Sequence, residues 1–304
     1  MVHVKTTKPV WVSQGQFLSL CYHDIFEYPL THDELNKWKV SVGAEKVLVE
    51  KTGQWYHLKG RAGIILARTH RNKLSFSKLV IARQAAQVLS RLSTICFVGI
   101  SGSLAMNNAD SSADIDLIII TKKGTLWTTR LLASLLLKLA FLPLRTAGSK
   151  DGANQLCLNL WLDADNLLVP PDIHNLYTAH EVLQVVPLVD KNSTFEKFLT
   201  ANEWVKNWWV IRTLGNWAHG LNADSLTAQE PKSLGVLLRF LEPLAFRFQK
   251  WHMKKHQTRE LVESGQAFFH PIDWGQMVLK EFEKRVKKYA LKNESTTNKE
   301  YLTF

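Results

Sequence analysis

Asp114 and Asp116 stand one residue apart at the entry to an apolar run, Leu117-Ile118-Ile119-Ile120. In an extended chain successive side chains alternate, so both carboxylates point to one face, about 7 Å apart. Two like charges that close repel unless a cation lies between them. Hard divalent cations such as Mg²⁺ are held by one or two carboxylates together with substrate phosphates. Eleven positions before Asp114, Gly102-Ser103 closes another apolar run, Ile95–Ile100. Glycine lets a backbone approach a phosphate closely, and the serine adds a hydroxyl donor. A phosphate pocket beside a carboxylate pair is what metal-assisted nucleotide chemistry requires.

Strand, Gly-Ser, a short bridge, then Asp-x-Asp running into a second strand resembles the signature of the nucleotidyltransferase superfamily, the polymerase beta-like group that includes kanamycin nucleotidyltransferase and the minimal nucleotidyltransferases. Gly102, Ser103, Asp114 and Asp116 carry the resemblance, which spans residues 93–163. Leu104 and Asn107 stand where small members often have Arg and Gly. The resemblance implies an α/β (α+β) nucleotidyltransferase-type core with a mixed sheet. It also implies a transferase that moves a nucleoside monophosphate from a nucleoside triphosphate to an acceptor hydroxyl. Asp114 and Asp116 would hold one or two magnesium ions, and Gly102 and Ser103 would be the nucleotide-binding pair. The family's third catalytic carboxylate lies on a neighbouring strand. The segment Gln155–Asp163 alternates, with Leu156, Leu158, Leu160 and Leu162 on one face and Cys157, Asn159, Trp161 and Asp163 on the other. Asp163 is the candidate acid; the alternative is that Asn159 replaces it with an amide. That case favours a catalytically inactive protein that binds nucleotide or nucleic acid.

The elements around this centre divide into three regions. Residues 1–73 read as a winged-helix-like module: apolar residues at helical spacing over 14–28, a capping pattern Thr31–Glu34, and strands over 46–49 and 54–58 about Thr52-Gly53. Such a module binds DNA or serves for packing. Residues 74–190 form the core, with an amphipathic helix over 75–92 whose stripe is Phe76, Leu79, Val80, Ala82, Ala86, Leu89 and Leu92, while Lys78 faces elsewhere. A long apolar helix over 126–141 starts at Thr125 and stops before Pro143. A helix over 175–185 puts Tyr177 and Glu181 on one face. Residues 191–304 read as a helical C-terminal domain. Trp204, Trp208, Trp209 and Trp217 open it; they suit either base stacking or a joint between domains, and the joint is favoured. His270-Pro271 marks a turn, and 293–304 a polar tail.

Charge narrows the partners. The net charge is +11, which favours nucleotides or nucleic acid. Between Lys51 and Ala109 there are nine Lys or Arg and no Asp or Glu, either a cradle for phosphates or a solvated face. The three cysteines, Cys21, Cys96 and Cys157, are widely spaced in apolar contexts and read as core thiols in a reducing compartment. The N-terminus lacks the apolar run of a signal peptide. Arg130 and Lys138 interrupt the most lipid-like stretch. The expectation is a cytoplasmic protein with no membrane partner.

Overall fold

The computed structural model describes residues 6–43, 45–145, 152–211, 232–254, 261–269 and 274–290. The chain opens with β1 (Thr7–Ser13), α1 (Gln14–Asp24), α2 (His32–Lys37) and the hairpin β2 (Lys46–Thr52) and β3 (Trp55–His57). Both helices start at capping boxes, Ser13 with Gln16 and Thr31 with Glu34. In each, the cap hydroxyl accepts one free backbone N–H and the third helical residue accepts another. Strand β1 has no counterpart in the sequence reading; it pairs antiparallel with β2 along its whole length, making a three-stranded sheet β1-β2-β3.

The long helix α3 (Ile64–Ser90) leads into β4 (Ile95–Ile100), α4 (Gly102–Ala105), β5 (Ile115–Thr121), α5 (Leu126–Leu139) and β6 (Leu156–Asp163). Then come α6 (Leu176–Leu183), β7 (Val186–Asp190), α7 (Thr194–Ala201), α8 (Lys232–Met253), β8 (Leu261–Val262), β9 (Gln266–Phe268) and α9 (Trp274–Ala290). The six-stranded sheet runs β7-β4-β5-β6-β9-β8; β5 and β6 are parallel and every other pair is antiparallel. The parallel pair needs a crossover, which α5 supplies. The architecture is mixed α/β. Among the described residues the C-terminal region contains α7, α8 and α9 and also adds β8 and β9 to the central sheet, so the sheet does not end at residue 190. Likewise α3 runs unbroken through residues 73 and 74.

Strand β5 is buried on both faces, which explains its unbroken apolar run. Ile118 and Ile120 enter a core shared with α1, α6 and α9, while Ile115, Leu117 and Ile119 enter another beneath α3 and α5. On α3 the buried stripe is Ala82, Ala85, Ala86 and Leu89; Phe76 and Val80 are exposed, contrary to the periodicity reading. Small alanines let the helix lie close to the sheet.

The cations of 51–109 are in part structural. Arg61 donates to Asp24 at 2.6 Å, Arg68 grips Glu34 at 2.6 and 2.8 Å, and Arg71 donates to Glu27 at 2.6 Å. The Arg68 and Arg71 pairs tie α3 to the segment 27–34, and the Arg61 pair ties the turn before α3 to the end of α1. Trp209 is fully buried against Tyr22, Trp38 and His180, where α1, α2 and α6 meet. His180 stacks on Trp38 with ring centres 4.1 Å apart, and its Nε2 lies 3.2 Å from Nε2 of His23. Burial pushes His23 down to about 4 and His180 well below its ordinary value, so both rings are neutral. Trp217, His270, Pro271 and the tail lie outside the described residues. No helix among the described residues is long and apolar enough to cross a membrane.

Candidate functional site

The site sits where β4 turns into α4, beside the start of β5. Gly102 adopts φ +62°, a left-handed backbone that glycine takes without strain. A Cβ there would also collide with Oδ2 of Asp116, so glycine serves both the turn and the close approach. Ser101 N–H donates to the Asp116 carbonyl at 3.0 Å, tying the Gly-Ser turn to the Asp-x-Asp strand. Ser103 is exposed, and no side chain caps the first turn of α4.

The loop before β5 is held from both sides. Asp110 accepts from Ser112 and Ala113 N–H at 2.9 Å each. The side chain of Lys78, expected to face outward, is buried and donates to the Ala113 carbonyl at 2.6 Å and to Asn154 Oδ1 at 2.8 Å. A buried ammonium is tolerated only when its protons find acceptors; here they fix the residue next to Asp114. Burial holds the Lys78 ammonium below its usual range, while Asp110 and Asp114 act in the opposite sense.

A bulge in β6 decides which side chains face the pair. Asp116 pairs with Cys157 and Ile118 with Leu160, so two steps along β5 match three along β6. The extra residue reverses the alternation. Leu156 and Leu158 pack with the α3–α5 core, but Leu160 and Leu162 pack with the other one. The single leucine face read from the sequence is therefore split. Cys157 and Asn159 share the face of Asp116, and the reversal puts Asp163 with Trp161 on the opposite one. Asp163 pairs in register with Thr121, at the far end of β5. Its carboxylate accepts from Gly124 N–H and, at 2.9 Å, from Asp165 N–H, shaping the turns after β5 and β6. The structure thus brings Gly102, Ser103, Asp114 and Asp116 to one place and leaves Asp163 away from it.

One donor atom from each of Asp114, Asp116 and Cys157 lies within 4.8 Å of the others, a group that could hold a metal ion. Asn159 Nδ2 donates to Asp116 Oδ1 at 2.6 Å, and Asn159 Oδ1 is buried with no partner among the described residues. Two carboxylates, a thiol and an orphaned amide oxygen suit a divalent cation in chemistry. Arg145 hydrogen-bonds Asp114 and Cys157 and supplies the positive charge at the site. Burial, then the Asp114 charge, pushes Asp116 up to about 7. Burial, Asp116 and Asp114 push the Cys157 thiol up to about 12. A further carboxylate comes from α6: burial and the Asp116 charge push Glu181 up to about 8.

Cys157, Arg145 and Glu181 come to the carboxylate pair without the sequence having marked any of them as candidate site residues. Two of them leave a partial signal: Tyr177 and Glu181 share one helix face, and Cys157 shares the strand face of Asn159. Nothing local marks Arg145, which is delivered by the bridge of Leu144 to Leu156. Comparison of the chain with family models, curated proteins and solved structures finds no match.

Proposed function

We propose that the chain is a metal-dependent nucleotidyltransferase. The observation that carries this reading is the closeness of Asp114, Asp116 and Cys157 beside the left-handed Gly102 turn. Asp114 and Asp116 would hold the cation, Mg²⁺ or a divalent ion that tolerates the Cys157 thiol. Gly102 and Ser103 hold the β- and γ-phosphates, and Arg145 offers them positive charge. A divalent ion held there would offset triphosphate charge and lower the pKa of the acceptor hydroxyl. The acceptor oxygen bonds to the α-phosphorus as the bond from that phosphorus to pyrophosphate breaks; pyrophosphate leaves and the hydroxyl proton passes to solvent. Such chemistry is mostly positioning and electrostatics, which suits a site fixed by buried Lys78 and the β6 bulge. Three free cysteines agree with a reducing, cytoplasmic setting.

A second reading has its own observation. Asn159, an amide, stands beside Asp116 where the third acid was expected on β6. That substitution favours a protein that binds nucleotide or nucleic acid without transferring it. Calorimetric titration with ATP, GTP, CTP and UTP, with and without Mg²⁺, tests the shared premise. Metal-dependent binding lost in Asp114→Asn/Asp116→Asn supports the site. Pyrophosphate release then separates transfer from binding. No binding to a folded wild type refutes both nucleotide readings.

A further inference from the structure

Helix α8 buries polar side chains and exposes apolar ones. Its inward side carries Leu238, Glu242, Ala245 and Gln249. The buried Glu242 carboxylate accepts from the N–H groups of Trp127 and Thr128 at 2.6 and 2.9 Å, satisfying free donors in the first turn of α5. Gln249 Nε2 donates to the Trp127 carbonyl at 2.7 Å, and Gln249 Oε1 accepts from Arg130 at 2.7 Å. These bonds fix the rotation of α8 about its axis, and so fix what its other side presents.

That other side is apolar and open. Leu237, Phe240, Leu241, Leu244, Phe248 and Trp251 share an arc of about 100° around the helix. All six are exposed, Phe240 to 82% and Trp251 to 69%. At about 200 Å² per aromatic side chain, the three rings alone leave on the order of 400 Å² open. With the leucines added, the patch reaches the size that marks an interaction surface on a monomer.

Charge decides the occupant. Arg247, Lys250 and Lys254 are exposed along one edge of the apolar arc, and Glu242, the sole acid of α8, is buried. Helix α5, which packs against α8, repeats the composition. Leu131, Leu135 and Leu139 are exposed at every fourth position, Lys138 is exposed beside them, Phe141 is open just past the helix end, and α5 contains no acid. A second copy seated face to face would set these cations against their own kind. A single-stranded nucleic acid would match the cations and stack on the rings, but it offers the exposed leucines of both helices nothing. Hydrocarbon beneath anionic headgroups matches both. Leu, Phe and Trp on one side, with Lys and Arg along the edge, is the composition of a helix that lies in the plane of a bilayer surface. Such attachment needs no spanning helix.

We infer that the outer face of α8, extended by α5, docks on an anionic lipid bilayer, which makes the chain a peripheral membrane protein. Phe240, Leu244, Phe248 and Trp251 enter the acyl boundary, and Arg247, Lys250 and Lys254 meet the headgroup phosphates. The inference uses no residue of the carboxylate site and stands apart from the nucleotidyltransferase reading.

The test is co-flotation of the full chain with vesicles of phosphatidylcholine alone, and with vesicles of two parts phosphatidylcholine to one part phosphatidylglycerol. The expected result is binding at least tenfold tighter to the anionic vesicles, weakened by high salt. Arg247→Gln/Lys250→Gln lowers the partition coefficient about 25-fold, fivefold for each cation. Phe240→Ser/Phe248→Ser abolishes flotation. Vesicles with brominated acyl chains quench tryptophan fluorescence, and Trp251→Phe removes that quenching while still floating. Asp114→Asn/Asp116→Asn floats like the wild type. The replaced α8 positions are exposed, and the comparison of the two vesicles needs no variant. No flotation with anionic vesicles, equal binding to both kinds, flotation kept by Phe240→Ser/Phe248→Ser, or quenching kept by Trp251→Phe overturns the inference. So does a wild-type dimer in sedimentation that Phe240→Ser/Phe248→Ser makes monomeric, which assigns the face to a second copy. Binding of a ten-residue oligothymidylate in place of vesicles, lost in the same variant, also overturns it and assigns the face to nucleic acid.

Discussion

Replacing Asp116 by Asn is expected to stabilise the fold, because the site stores unfavourable charge. Burial and Asp114 raise Asp116 from 3.8 to about 7, while Arg145 and Asn159 act against them. At about 1.4 kcal/mol per pH unit, that difference corresponds to about 4 kcal/mol of cost for the ionised group above pH 7. The sign comes from proton counting. Between 3.8 and about 7 the native state holds the proton more firmly than the unfolded chain, so stability falls as pH rises through that window. An asparagine removes the titration and still offers an oxygen to Asn159 Nδ2. Allowing about 1 kcal/mol for the weaker, uncharged hydrogen bond, the variant gains about 3 kcal/mol at pH 8 and almost nothing near pH 4. Urea unfolding at pH 4.5, 6 and 8 reads this directly. A variant less stable than wild type at pH 8, or a difference independent of pH, refutes the reasoning. Added divalent cation is expected to reverse the ranking, since only the wild type has the full carboxylate pair.

The same geometry sets other outcomes. The neutral pair His23 and His180 makes the joint acid-labile: His23, lowered from 6.5 to about 4, contributes up to about 3 kcal/mol that is present above pH 6.5 and lost as pH falls toward 4. Guanidinium unfolding of wild type and His23→Gln across that range checks it, and the variant's curve is expected to be flatter. Cys157 is expected to ligate a soft-tolerant metal: Co²⁺ added to wild type gives a sulfur-to-cobalt charge-transfer band that Cys157→Ser lacks. Gly102→Ala is expected to abolish metal-dependent nucleotide binding while costing about 1–3 kcal/mol in stability, from the left-handed backbone and the collision with Asp116, read by calorimetry and thermal unfolding.

Local chemistry is what the sequence makes legible. The capping box at Thr31–Glu34 depends on residues three positions apart, and the structure has it as read; Gly102 makes a left-handed turn and Asp116 stands in β5, with Asp114 just before the strand. The failures come from pairings between distant segments. Four leucines at alternate positions in β6 cannot reveal that a bulge after Cys157 reverses them, so Asp163 looks competent for a place it does not occupy. The nine cations between Lys51 and Ala109 carry no mark of their partners; Asp24, Glu27 and Glu34 lie far upstream. Lys78 is buried because the carbonyl of Ala113 and the amide of Asn154 come to it from the sheet side, 35 and 76 residues away. Strands β8 and β9 are two and three residues long, too short for any periodicity to show. Cys157 becomes a candidate ligand only when the register sets it against Asp116.

The central claim, a cation held by Asp114 and Asp116 beside a triphosphate, is tested most directly by electron paramagnetic resonance of Mn²⁺. Wild type and Asp114→Asn/Asp116→Asn are titrated with Mn²⁺, each with and without a non-hydrolysable nucleoside triphosphate analogue. The account predicts that the free Mn²⁺ signal is depleted by the wild type, more strongly with the analogue present, and that the double variant adds nothing to what the analogue binds alone. Equal depletion by both proteins would place the cation elsewhere and contradict the account.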